Sequence, residues 1–82
     1  MEKTKEELKK ETEKMLVNIR KKRKTIKLVN EEKAGLVTNI DAYISDTSYF
    51  LKNDDQIRAF EAVVWAWSWI EILEELKVIK TE

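Results

Sequence analysis

The stretch AFEAVVWAWSWIEIL, residues 59–73, decides the fold. Trp65, Trp67 and Trp69 alternate with Ala66 and Ser68, the two-residue period of a strand with one aromatic face. A strand needs pairing partners bounded by turn signals, yet the chain has no proline, a single glycine at Gly35 and no second β-rich alternating segment. The strand reading fails. Wound as a helix from about residue 55 to 78, at about 100° per residue, the segment puts Ala59, Ala62, Val63, Ala66, Trp69, Ile70, Leu73 and Leu76 on one face. Glu61, Ser68, Glu71 and Glu75 fall opposite. Trp65 and Trp67 then flank the apolar face on either side, and Phe60, Val64 and Ile72 extend it, leaving only a narrow acidic strip polar.

Upstream of this helix the three-to-four-residue rhythm continues. Leu8, Thr12, Met15, Ile19 and Ile26 form one stripe among strong helix formers, which predicts a first helix over about residues 4–27. Thr25 to Val29 holds three β-branched residues and precedes Asn30, a residue suited to capping a helix whose first turn carries Glu31 and Glu32. A second helix, about 31–52, buries Leu36, Ile40, Tyr43, Thr47 and Phe50 in one row and Val37, Ile44 and Leu51 in the next. Gly35 in its first turns permits close helix approach. Asn53-Asp54-Asp55 then reads as a tight turn, with Asn53 or Asp54 in the left-handed conformation and Asp55 capping the third helix. The expected fold is all-α: a single domain, residues 1–82, built as an antiparallel up-down-up three-helix bundle.

Composition narrows the chemistry. The 82 residues include no cysteine and no histidine, which removes disulfides, thiolate metal sites, the commonest general base and the usual zinc ligands. A single glycine leaves no phosphate-cradling loop. The carboxylates that remain fall mostly on wet faces, and Asp46, beside Tyr43 and Phe50, is expected to hydrogen-bond a neighbouring helix or an indole N–H. Neither catalysis nor a metal or other cofactor is expected. MEKTKEELKK carries charge where a secretion signal needs an apolar segment, and the longest nearly uncharged apolar run, 62–70, is far shorter than a membrane span, so a soluble cytoplasmic protein is expected.

Within this frame, residues 42–79 resemble the carboxy-terminal part of the archaeal family known as domain of unknown function 357. The family pattern A-x-Y-x-x-D-A-x-x-F-L followed by G-D-x-x-x-A-F-x-A-x-x-Y-A-x-G-W-L-D-A-G is met by Tyr43, Asp46, Phe50, Leu51, Asp55, Ala59, Phe60, Ala62, Ala66 and Trp69. Departures are Asp54 for the turn glycine, Thr47 for alanine, Trp65 for tyrosine, and Leu73 and Lys77 for glycines. The resemblance implies a three-helix bundle in an archaeal cytoplasmic protein, and it implies no activity.

Two surface features remain as candidate sites. Charge is segregated: residues 1–27 hold eleven Lys/Arg against five Glu, and residues 28–82 hold five against eleven acids. Arg20, Lys21, Lys22, Arg23, Lys24 and Lys27 concentrate the positive charge at the end of the first helix, where the helix dipole favours cations and where phosphates of a nucleic acid would bind. No aromatic residue is interleaved to stack on bases, and five consecutive residues wrap around a helix, so Lys22 or Arg23 must lie over the core stripe. The surplus apolar surface of the third helix is the stronger clue. Phe60, Val64, Trp65, Trp67 and Ile72 are the expected protein-interaction residues, most simply in a homodimer, with another protein as the alternative partner and a nucleic acid as the runner-up.

Overall fold

The computed structural model describes residues 2–82. Three helices, α1 (Glu2–Arg23), α2 (Val37–Lys52) and α3 (Gln56–Glu75), form the expected up-down-up bundle, with a 3₁₀ segment, Glu31–Leu36, leading into α2. The tryptophan stretch lies wholly within α3. Ile19, Ile40, Val63, Ile70 and Leu73 are fully buried and join all three helices in one core, with Ala59, Ala62 and Ala66 as the small residues that let neighbouring helices approach α3. Leu16, outside the stripe read from the sequence, is also buried. Two buried threonines, Thr12 and Thr47, are satisfied locally: each hydroxyl donates to the carbonyl one turn back, Leu8 and Tyr43 respectively, at 2.8 Å.

Helix ends are where the structure departs from expectation. α1 stops at Arg23 rather than near residue 27. Its last carbonyls are taken up by tight i→i+3 bonds from the amides of Lys24, Thr25 and Ile26, and the Thr25 hydroxyl donates to the Lys22 carbonyl. The chain then extends, and Lys27–Leu28 (β1) pairs antiparallel with Ile79–Lys80 (β2), a strand pair where the end of the first helix, a turn and the segment after the third helix were expected. The Val29 and Asn30 amides both donate to the Val78 carbonyl, at 2.8 and 3.2 Å.

α2 and α3 end by the same device. At α2, Asp54 adopts φ 57°, its amide donates to Leu51 and the amide of Asp55 donates to Phe50. At α3, Lys77 adopts φ 59°, its amide donates to Glu74 and that of Val78 to Leu73. Both are Schellman caps, with the left-handed residue just beyond the last helical turn. α3 therefore ends at Glu75, not near residue 78, and Leu76 turns outward instead of joining the core. Val78 and Ile79 fold back and are buried in its place.

Asn30 and Asp55 both cap as expected: the Asn30 side chain accepts from the Glu32 amide, and Asp55 accepts from the Arg58 amide, each at 3.1 Å. Asn30, however, caps the 3₁₀ segment, and α2 proper begins at Val37 rather than near residue 31, with no side-chain cap of its own. Gly35 differs from expectation: a Cβ at that position would meet nothing within 4 Å, so no helix approaches it closely. Asp46 is exposed and makes no side-chain hydrogen bond among the described residues, so the expected contact to a neighbouring helix or an indole is absent.

Candidate protein-interaction surface

The molecule measures 45 × 20 × 17 Å. With helices about 10–12 Å across, that cross-section leaves every helix an outer face. On α3 this face starts at Ile57, 68% exposed, and ends at Leu76, 62% exposed. Sequence reading placed Leu76 in the core and passed over Ile57. The spacing of Ile57 to Glu61 and Val64 was the available signal for Ile57, whereas nothing local marked Leu76, whose exposure follows from the cap at Lys77.

The five residues expected to form the surface divide into two rows. Phe60 and Trp67, two helical turns apart, lie along one edge, and both are half-buried; Trp67 packs against the core. Along the other edge Trp65 remains 53% exposed and Ile72, seven residues on, 42%. Val64 lies between the rows at 37%, in company with the exposed carboxylates Glu61, Glu71 and Glu75. The core therefore shields part of the apolar surplus, and the open part is a row of Trp65, Ile72 and Leu76 with Val64 and Ile57 beside it. One side of the Trp65 indole is covered by Tyr43 of α2, ring centroids 6.3 Å apart and planes inclined by 21°. That stacking holds the indole in a defined orientation beside Asp46 and Arg58, which line the same open groove.

At the other candidate site the six cations are not equivalent. Arg23 forms a two-pronged pair with Asp41 of α2, at 2.6 and 3.0 Å, and this partner holds its guanidinium above its ordinary pKa. Lys22 donates to the carbonyl of Glu82 at 2.7 Å. These two lie over the core stripe, half-buried, while Arg20, Lys21, Lys24 and Lys27 are exposed. The structure thus brings four of the six to solvent and commits two to holding α1 against α2 and the C-terminal segment.

A third concavity, about 670 Å³, lies between the start of α1 and the α2–α3 turn, with Lys5, Leu8, Asp54, Gln56 and Ile57 in its wall. The Gln56 amide nitrogen donates to Asp54 at 2.8 Å and Lys5 lies 3.4 Å from the same carboxyl, which together lower the Asp54 pKa, the Gln56 bond most. Among the described residues no three acidic or other ligating side chains are grouped to hold a metal ion, and no helix is long and apolar enough to cross a membrane.

Comparison with known proteins agrees with this architecture. The family model described as protein of unknown function (DUF357) matches residues 3–79. The chain belongs to the DUF357 family. Its fold is also that of a solved DUF357 structure, the crystal structure of protein AF1782 from Archaeoglobus fulgidus. That protein is 44% identical, with 96% of this chain and 99% of that chain covered and a TM-score of 0.86. No curated protein matches the chain.

Proposed function

We propose that this DUF357 chain is a non-enzymatic helical interaction module that associates with a second copy of itself through the outer face of α3, in the cytoplasm. The observation that carries this reading is the row of Trp65, Ile72 and Leu76, three large apolar side chains left open along α3 and its C-cap, with Ile57 and Val64 exposed beside them. A half-exposed tryptophan leaves about 100 Å² of surface in water, and covering it is worth about 2–3 kcal/mol. Trp65 is stacked on Tyr43, so ordering it on binding costs little conformational entropy.

Sedimentation equilibrium tests the reading. At tens of micromolar the chain is expected to exceed its monomer mass of 9.8 kDa, and Trp65→Ser is expected to restore that mass. A monomer at every concentration up to about a millimolar, where even weak pairs with Kd near that value form, would sink it.

The exposed Arg20, Lys21, Lys24 and Lys27, which form no ion pair among the described residues, favour a second reading, a small nucleic-acid-associated protein. Absence of salt-sensitive retention of RNA or DNA on a filter at low ionic strength removes that reading.

A further inference from the structure

The self-association reading leaves open how two copies meet, and the residues on the outer face of α3 select one arrangement. We propose that α3 pairs antiparallel with α3 of a second copy about a two-fold axis crossing the helix between Ala66 and Trp67. In that register Ile57 faces Leu76 of the second copy, Arg58 faces Glu75, and Trp65 faces Ser68. Symmetry repeats each pair.

The register follows from charge and size. Ile57 in the first turn of α3 and Leu76 at its C-cap, the two most exposed large apolar residues of this face, cover each other at both ends of the contact. Just inside them, Arg58 and Glu75 form two symmetric ion pairs. Glu75 has no ion-pair partner within the chain among the described residues, and Arg58 has only an exposed pair with Asp55 at 3.6 Å. At the centre the indole of Trp65 meets Ser68, a small residue whose hydroxyl is already satisfied by the Val64 carbonyl at 2.9 Å. A large side chain thus faces a small one, the complementarity that close helix packing needs.

Other arrangements lose these pairings. A parallel pair about the same face sets Arg58 against Arg58 and Glu75 against Glu75, and it aligns the two helix dipoles unfavourably. Sliding the antiparallel pair by about a turn, so that Trp65 faces Ile72, puts Glu61 against Leu76 and leaves Ile57 and Arg58 beyond the end of the second copy's α3, with no helical residue opposite them. The chosen register has one misfit, Glu61 opposite Ile72. The contact runs from residue 57 to 76, about 28 Å, and buries about 1,000 Å² in total, at the lower limit for a specific interface, so a reversible dimer is expected rather than an obligate one.

Charge exchange on the intact chain tests the register, read as the dimer dissociation constant by sedimentation equilibrium. Arg58→Glu alone and Glu75→Arg alone are each expected to raise it about ten-fold at low salt, because each converts two attractions into two repulsions. The double variant is expected to return it to within about three-fold of the parent. Glu61→Leu, which removes the misfit, is expected to lower it. If the double variant is no tighter than the singles, the register is wrong. If the charge variants bind like the parent while Trp65→Ser dissociates the pair, the register is wrong but self-association stands. A parent chain that stays monomeric overturns both.

Discussion

α2 and α3 end in the same backbone geometry, yet one ending is written in the local sequence and the other is not. At the α2 terminus, Asn53-Asp54-Asp55 supplies residues that tolerate the left-handed region and a side chain ready to cap the next helix. Asp54 at φ 57° and the Asp55 cap follow. At the α3 terminus the left-handed position is held by Lys77 at φ 59°, a residue with no preference for it. That cap is maintained by what lies beyond it: Val78 is buried, its carbonyl accepts from Val29 and Asn30, and Ile79 pairs with Leu28. The comparison shows one backbone motif reached by two routes, through turn chemistry at one end and through tertiary anchoring at the other.

The α3 cap is the more vulnerable to loss of its packing. Leu73 accepts the closing hydrogen bond of the α3 cap and shares a core cluster with Val78, so Leu73→Ala is expected to destabilise the fold by about 2–5 kcal/mol in a urea titration. Phe50, at the equivalent position of the α2 cap, is only half-buried, and Phe50→Ala is expected to cost less. If the α2 cap proves the more sensitive, its turn residues do not hold it unaided.

A smaller effect of opposite sign sharpens the contrast. Lys77→Gly relieves a lysine from the left-handed region and is expected to stabilise by about 1 kcal/mol in thermal unfolding. Asp54→Gly is expected to gain less or to lose stability. Aspartate tolerates that conformation, and the change removes the hydrogen bond from Gln56 and the contact with Lys5.

The smallest effect is one of pH. The Asp54 carboxyl is held below its ordinary value, first by the Gln56 hydrogen bond and then by the charge of Lys5. Its folded pKa is therefore lower than its unfolded one. The contribution to stability is complete above the ordinary carboxylate range and is lost as pH falls through the lowered folded value. An NMR titration following the Asp54 carboxyl carbon in the parent and in Lys5→Met is expected to show a higher midpoint in the variant. Equal midpoints would rule Lys5 out as a contributor.

The same division applies to the candidate surface. That α3 carries more apolar residues than one face holds was visible in its spacing, and the half-burial of Lys22 and Arg23 follows from their place beside Ile19 and Ile26. Which tryptophan stays open was not visible, because Trp65 and Trp67 flank the core face almost symmetrically. Only the placement of the neighbouring helices sends Trp67 against the core and leaves Trp65 stacked on Tyr43.

Helix identity, order and core faces are local properties, because periodicity and capping groups act over three or four residues, and for those the chain needs no neighbours. The early end of α1, the outward turn of Leu76 and the pairing of residues 27–28 with 79–80 belong to the assembled bundle. They depend on hydrogen bonds and burial between segments some fifty residues apart, and such contacts have no signature in either segment alone.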